Sequence, residues 1–489
     1  MPIRIRRGML LAAAAVLASG CAGRYFQDAG PPPPPYTLTL ATLPNKEIWT
    51  GVIFNGAKIG FSHFRIEPAA KNGLHRLRSE ATMRLRFLGF DKSIRLRAED
   101  WVRDDLSLER FAYDYHIDGS DLRVRGEVVG QHMAARIETG GVWSQQKLAL
   151  TGPLYPASAL TLYPVLAGLA IGREHRFMTY SGELQQLGEV SQRVESFERS
   201  TLFEGGAFKV ATEFMGLRTT TWIDVQGRPL LELGLNGVIV SALEDEAAAK
   251  GYLASAALNK DDVIIQWSLV RADRPLPQAR EMRRLRLALE GAPLPVSSDA
   301  RQACVRGDGE VVCRIVAAQR AAAATGDAAA FLAPSVTVQS ADASIRALAR
   351  TILSGLPPGE DRIEALLKWL ERNIRKEAAD VFSALDVLQL GRAECQGQAY
   401  LYAALARAAG IPTRVANGLV YSPEHGGFLY HTWAESMVDG SWQAIDPTFD
   451  QRSADATHLA LVYGETLADL LPLAEWVGKT RIRVIEAER

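Results

Sequence analysis

Two apolar runs rich in β-branched and aromatic residues, Trp49 to Phe54 and Ala57 to Ile66, flank Asn55-Gly56. That dipeptide is the strongest short signal for a two-residue hairpin turn. Further along, Met83, Leu85 and Phe87 alternate with Arg84 and Arg86, and Ile94, Leu96 and Ala98 alternate with Arg95 and Arg97. Successive side chains of a strand point to opposite faces, so one face is apolar and the other basic and solvated, as in a sheet exposed on one side. The pattern predicts an antiparallel β domain over residues 36–244, a highly curved sheet or half-barrel. Its role stays open between structural docking and a concavity for lipid, peptide, glycan or a protein partner. The apolar stretch from Leu154 to Ile171 is interrupted by Pro156 and Pro164, which predicts a buried helix or loop.

From about Asp245 to Ala333 the pattern changes. A helical stretch, Glu244 to Ala257, and a strand-like Val263 to Val270 precede an alanine-rich segment, Ala317 to Ala330. We read residues 245–333 as a connecting β-containing module. After Pro334 the period becomes helical, with Ile345, Leu348, Ala349 and Ile352 on one face and Ile363, Leu366, Leu367 and Leu370 on another. Ser383 to Leu390 follows, then a helix carrying Tyr402, Ala403 and Ala406, which stops at Gly410 with Pro412 beyond it. Three strand candidates come next: Thr413 to Tyr421, Tyr430 to Val438 and Ser441 to Pro447. Residues 334–489 therefore read as an α+β domain.

Composition changes this picture little. The 489 residues are 47% hydrophobic and 23% charged, with a net charge of -1, which describes a globular chain and points to no nucleic-acid partner. The N-terminus adds more. Arg4, Arg6 and Arg7 precede the short apolar run Met9 to Ala18, too short for a bilayer span and consistent with a signal peptide over 1–20. The run ends Leu17-Ala18-Ser19-Gly20-Cys21, which resembles a bacterial lipobox with Cys21 as the lipidated residue. Ala18 stands where the lipobox usually has Leu, and ordinary cleavage with an incidental Cys is the alternative. Ala22 after the Cys favours the outer membrane by resemblance to bacterial sorting. Pro31 to Pro35 form a stiff spacer, so 21–35 reads as lipidated Cys and tether of a periplasm-facing lipoprotein.

The chain has four cysteines. Cys304 and Cys313 flank an Asp308-Gly309 turn that places them directly opposite each other at a narrow antiparallel pair, where a disulfide fits. With Cys21 lipidated, Cys395 is the free thiol, and an odd thiol in an exported protein calls for a reason.

Cys395 falls at the first turn of its helix, where unsatisfied N–H groups and the helix dipole favour a thiolate. A two-residue turn at Asp439-Gly440 would set Trp433 opposite Asp446 and His431 opposite Thr448. His431 and Asp446 then share a face as diagonal neighbours, roughly 7 Å apart at the backbone. A thiol at a helix N-terminus beside an independently positioned His–Asp pair is the constellation of nucleophilic catalysis. Gln389, six residues before the Cys, has the spacing of a papain-like oxyanion glutamine, with a solvated loop Gln as the alternative. One Cys and one His are too few ligands for zinc, and no EF-hand loop is present, so no metal or cofactor is expected. His425 and His458 read as loop residues.

These residues carry a family resemblance. Cys395 with Ala399, the run Ala404 to Pro412, His431-Thr432-Trp433-Ala434-Glu435, Trp442, and Asp446-Pro447-Thr448 resemble the transglutaminase-like superfamily over about residues 334–471. The segment Asp455 to His458 is similar to one that follows the Asp in proteobacterial members. The resemblance implies a papain-like α+β fold and acyl transfer through Cys395, His431 and Asp446. The whole chain is then multidomain, with the N-terminal antiparallel β domain first and the transglutaminase-like domain last. Two departures stand out: Ala393-Glu394 where members usually have Gly-Asp, and Gly397-Gln398 where they often have Glu-His. The expected activity is a cysteine peptidase or amidohydrolase acting on peptide or protein amides. The alternatives are a binding or scaffold lipoprotein with a vestigial triad, and a true cross-linking transglutaminase.

Overall fold

A computed structural model describes the chain except for residues 1–24, 35–37, 55, 69–72, 88–89, 235–237, 257–267, 292–295, 297, 308, 323–326, 378 and 477–479. The expected signal peptide and Cys21 lie outside the described residues, as do most of the strand expected at Val263 to Val270 and one residue of each of the Asn55-Gly56 and Asp308-Gly309 turns.

The β domain is one 16-stranded sheet. After the short strand Phe26–Asp28, which pairs with Gln186–Ser200, the chain passes to the centre with Glu47–Phe54 and runs by successive hairpins to one edge at Val142–Ala149. It then starts again at the opposite edge with Leu154–Pro156 and returns to the centre, where Ile239–Glu244 pairs with Glu47–Phe54. Only residues 150–153 join the two edges, a span of at most ~18 Å, so the sheet has to roll until its edges approach. They do: Gln146 Nε2 donates to the Gln185 carbonyl at 2.8 Å, and the Tyr180 hydroxyl donates to Gln146 Oε1 at 3.1 Å. Phe111 and Tyr180, from opposite halves, sit 5.2 Å apart inside the roll. Leu77, Val124, Met133, Val194 and Phe208 complete one enclosed core. The stretch Leu154 to Ile171 contributes Leu154, Leu162 and Val165 to that core, as its interrupted hydrophobicity predicts.

The connecting module differs from its expected boundary. Its four-stranded sheet runs Gln302–Arg306, Glu310–Val316, Arg284–Glu290, Arg481–Glu488, so the last strand comes from the far end of the expected 334–489 domain. Two short module strands, Val270–Arg271 and Ala321–Ala322, pair instead with the strands Gly427–Val438 and Ser441–Ile445 of the C-terminal sheet. The two sheets share a core in which Leu285, Leu287 and Ile482 meet Leu419, Phe428 and Leu459. Cys304 and Cys313 are directly paired and joined by a disulfide, with Cα atoms 4.0 Å apart, and Cys395 is the free cysteine among the described residues.

In the C-terminal domain the helices Ala343–Ile352, Glu360–Asn373 and Ala384–Leu390 pack around the helix Cys395–Ala408. Each end has a local cause. The Asp342 and Ser383 side chains cap two N-termini. At the C-terminus of Cys395–Ala408, Gly410 takes φ 77° and the Ile411 N–H bonds back to the Ala406 carbonyl, the left-handed stop that glycine allows. This helix lies on a sheet ordered Ala321–Ala322, Ser441–Ile445, Gly427–Val438, Thr413–Ser422, Leu459–Tyr463, giving the α+β layers expected.

The β domain docks on the segment that leads to Cys395. Thr139 Oγ1 donates to Asp386 at 2.9 Å, the Phe382 N–H to Ser120 Oγ at 3.0 Å, and Gln389 Nε2 to the Gly140 carbonyl at 2.9 Å. Gly140 has φ 59°, and a Cβ there would lie 2.4 Å from the Leu385 Cβ, so this approach depends on glycine. Docking by its hairpin ends is thus one role the β domain has.

Candidate active site

Cys395 is the first residue of its helix, preceded by the N-cap Glu394, whose side chain makes no capping hydrogen bond. The first-turn N–H groups therefore remain uncapped beside the thiol, where they can receive negative charge. The residue is half-buried at the floor of a cleft of about 610 Å³.

The His–Asp pair is set by the hairpin turn. Asp439 and Gly440 take φ 49° and 72°, both left-handed as a two-residue hairpin turn of this kind needs. Val438 pairs with Ser441 and Ala434 with Ile445, the register expected. Asp446 lies just past the strand end, held by two backbone hydrogen bonds with Gln451 at 2.9 Å each. His431 Nε2 meets Asp446 Oδ2 at 2.8 Å, which leaves Nδ1 as the nitrogen for a thiol, and His431 and Cys395 line the same cleft. Burial acts to lower the His431 pKa, but the Asp446 carboxylate and Cys395 more than reverse this and raise it to about 9. Burial likewise pushes Asp446 up, and its contacts with His431 and His458 hold it well below the usual carboxylate range. At neutral pH the pair is an imidazolium against a carboxylate.

Gln389 is not at this site. It sits at the end of the helix Ala384–Leu390, where Gly391 at φ 63° terminates the turn, and its amide is spent on Gly140 of the β domain. His425 stays on a turn, bonded to Ser422. His458 is different from its expected loop role. It is fully buried, and its Nε2 meets the same Asp446 Oδ2 at 2.9 Å while Nδ1 faces the Asp455 carbonyl at 3.2 Å. Asp446 thus orients two imidazoles. His431, Asp446 and His458 could also satisfy ligand distances for an ion, within 4.8 Å of one another. With one carboxylate oxygen at hydrogen-bond distance from both rings, the arrangement is one of shared protons.

Two further residues brace the site. The Phe449 ring stacks on His431 at 5.0 Å, and the Arg280 guanidinium lies 4.2 Å over Phe449 while pairing with Asp455 at 2.9 Å. The module also holds the segment that carries His458: Arg301 donates to the carbonyls of His458 and Asp455 at 3.0 Å each, and Gln302 exchanges two hydrogen bonds with Ala460. The similarity of Asp455 to His458 to a family segment was the one sequence signal for His458. None singled out Phe449 or Arg280.

Residues 346–447, which contain Cys395, His431 and Asp446, match the model of the Transglutaminase-like superfamily. No curated protein matches the chain. Among solved structures, the chain is similar to a candidate cysteine protease from Cytophaga hutchinsonii, with 17% identity, TM-score 0.28, and coverage of 41% of this chain and 81% of that one. It is also similar to a beta-barrel-like protein of unknown function from Brucella abortus, with 7% identity, TM-score 0.32, and coverage of 41% and 95%. A candidate protease from Parabacteroides distasonis shows 12% identity, TM-score 0.20, and coverage of 79% and 69%. Likeness at this level carries no argument about chemistry. The C-terminal domain is transglutaminase-like on the match over 346–447 and on its α+β fold.

Proposed function

We propose that this chain is a cysteine acyl-transfer enzyme of the bacterial cell envelope that hydrolyses peptide or isopeptide amides through a thioester. The observation that carries the reading is His431, bonded to Asp446 and lining one cleft with Cys395, whose charge acts on the imidazole. The Cys395 thiolate adds to the amide carbonyl, and the Cys395 backbone N–H is the nearest donor for the oxyanion. Collapse breaks the C–N bond as the His431 imidazolium gives its proton to the leaving amine. Neutral His431 then takes a proton from water, whose oxygen displaces Cys395 and releases a carboxylic acid. The Ser268, Tyr430 and Thr448 hydroxyls line the cleft and are buried without a partner among the described residues, which suits recognition of a polar amide backbone.

Iodoacetamide tests the reading directly. Cys395 should be modified rapidly at pH 6, where an ordinary thiol is almost wholly protonated and slow, and mass spectrometry should find thioester adducts on Cys395 in cells. A Cys395 that reacts no faster than free cysteine at pH 6 would remove the basis for catalysis.

The His431 pKa gives a second expected result. Raised from 6.5 to about 9, the imidazolium is kept over most of the working range, and kcat/KM should fall as pH rises through about 9 and the acid for the leaving amine is lost. The same shift makes the His431 ion pair a source of stability that is fully present below pH 6.5 and lost as pH rises through about 9. A kcat/KM profile flat to pH 10.5 would contradict this assignment of the acid.

We also propose that the enzyme is anchored to the outer membrane by lipid on Cys21 and faces the periplasm. The lipobox-like N-terminus supports this, as does a disulfide suited to an oxidising compartment. Wild-type protein should partition into detergent and carry a diacylglyceryl thioether. A Cys21→Ser protein that still sediments with the outer membrane would sink the proposal.

A further inference from the structure

Lys92 lies on the strand Phe90–Val102 of the β domain, on the side of Ile94, Leu96 and Ala98 that the alternation assigns to the apolar face. It is 4% exposed. A lysine is buried this far only when paired, and Lys92 is paired three times. Its Nζ is 3.3 Å from Asp118 in the turn before Ser120–Val129, 2.9 Å from Asp380 and 3.7 Å from Glu394. Asp118 belongs to the β domain, whereas Asp380 and Glu394 belong to the segment that delivers the nucleophile. Glu394 immediately precedes Cys395 and itself lines the cleft. Its carboxyl is pushed well above the usual range by loss of solvent and by the neighbouring Asp380.

Several other charged groups that line the cleft have their own partners, and Glu424 adds a further acidic group to it. Lys376 pairs with Asp450, Glu377 pairs with Arg392 at 3.1 Å, and His431 pairs with Asp446. Lys92 is therefore the cation that offsets the acidic group directly behind the thiol.

We propose that Lys92 is a positioning residue for the acyl-transfer reaction, supplied by the β domain, which fixes Glu394 and Asp380 and cancels their field at Cys395. The proposal rests on Cys395 being the nucleophile. Without Lys92, the carboxyl groups of Asp118, Asp380 and Glu394 lose their shared cation, and uncompensated negative charge lies behind the site where the thiolate forms. The transferred role has a structural root in the departure at Glu394: its side chain, one methylene longer than the family's usual Asp, reaches toward the neighbouring domain instead of capping its own helix.

The test is the iodoacetamide rate of Cys395 at pH 6 in the full-length protein, with thermal melting in parallel. Lys92→Met should slow alkylation about tenfold and Lys92→Arg should restore most of the rate, since one unit charge near a partly buried site is worth that much. The double variant Glu394→Gln/Asp380→Asn should act in the opposite sense and speed alkylation severalfold, because it removes the pair's negative charge and leaves the lysine. Opposite signs separate an electrostatic role from simple domain docking, in which both variants would slow the reaction. If Lys92→Met does not fold, the Glu394→Gln/Asp380→Asn protein decides alone: a rate equal to or below wild type overturns the proposal. A Lys92→Met protein that folds and reacts within twofold of wild type also overturns it. A wild-type Cys395 that is slow at pH 6 would overturn the reading of the nucleophile itself, which is a distinguishable failure.

Discussion

Cys395→Ala and His431→Ala will each abolish amide hydrolysis, with a loss on the order of 10^4-fold or more, and the thioester adducts will disappear with the sulfur. Either variant alone should cost about as much as both together, because nucleophile and base act as one unit. Folding of Cys395→Ala should be nearly unchanged. Cys395 is half-buried at the cleft floor, and removing one sulfur from a site open to solvent leaves no closed cavity. His431→Ala takes away one of four donors to Asp446 and leaves His458 and the Thr448 and Phe449 N–H groups in place. The measurement is turnover of an amide substrate identified from the trapped adducts, alongside melting curves. If Cys395→Ala retains both hydrolysis and the cellular phenotype, the function passes to the β domain.

Asp446→Ala is expected to fail in a second way. The carboxylate is fully buried and accepts from His431, His458 and the N–H groups of Thr448 and Phe449. Removing one partner of a buried charged network costs about 3–5 kcal/mol, here with two imidazoles and two N–H groups left unmatched. A residue with the orienting role alone would have been expected to leave the fold alone. The second imidazole changes that expectation. Asp446→Asn keeps the shape and one acceptor oxygen, so it should melt closer to wild type while activity falls on the order of 10^4-fold as the imidazole loses its orientation and its tautomer. Denaturant titration and kcat/KM on the same preparations check both parts. An Asp446→Ala protein as stable as wild type would mean that His458 is held by other contacts.

What the sequence conveyed and what it hid divide along physical lines. The His431–Asp446 register was legible because a two-residue turn with two left-handed positions admits one strand pairing, and a slip of one would turn Asp446 to the other face. The Cys304–Cys313 pairing was legible for the same reason. Both are local. The partner of Arg481–Glu488 was not legible, although Ile482 and Val484 alternate with Arg481 and Arg483 as a strand should: periodicity reveals a strand and says nothing of which strand it joins. Gln389 had a plausible spacing, but a helix end turned its amide to another domain. His458 reaches Asp446 only because the chain doubles back between them, with Asp446 and Gln451 forming a bridge, and no spacing rule describes that. Lys92 did leave a trace. It is a charge on the apolar parity of its strand, and such a charge calls for a buried partner.

The strand Arg481–Glu488 has one more consequence. It pairs along Arg284–Glu290, in the sheet whose far strand begins at Gln302, a brace of the His458 segment, across nearly two hundred intervening residues. Closing so long a loop is slow, and the ribosome makes this strand after Cys395, His431, Asp446 and His458 have all been synthesised. The sheet behind His458 is therefore expected to be among the last parts to assemble. A reactive thiol that matures only on that late event would stay quiet through synthesis, so the order of folding itself would delay the chemistry until the whole chain has been made.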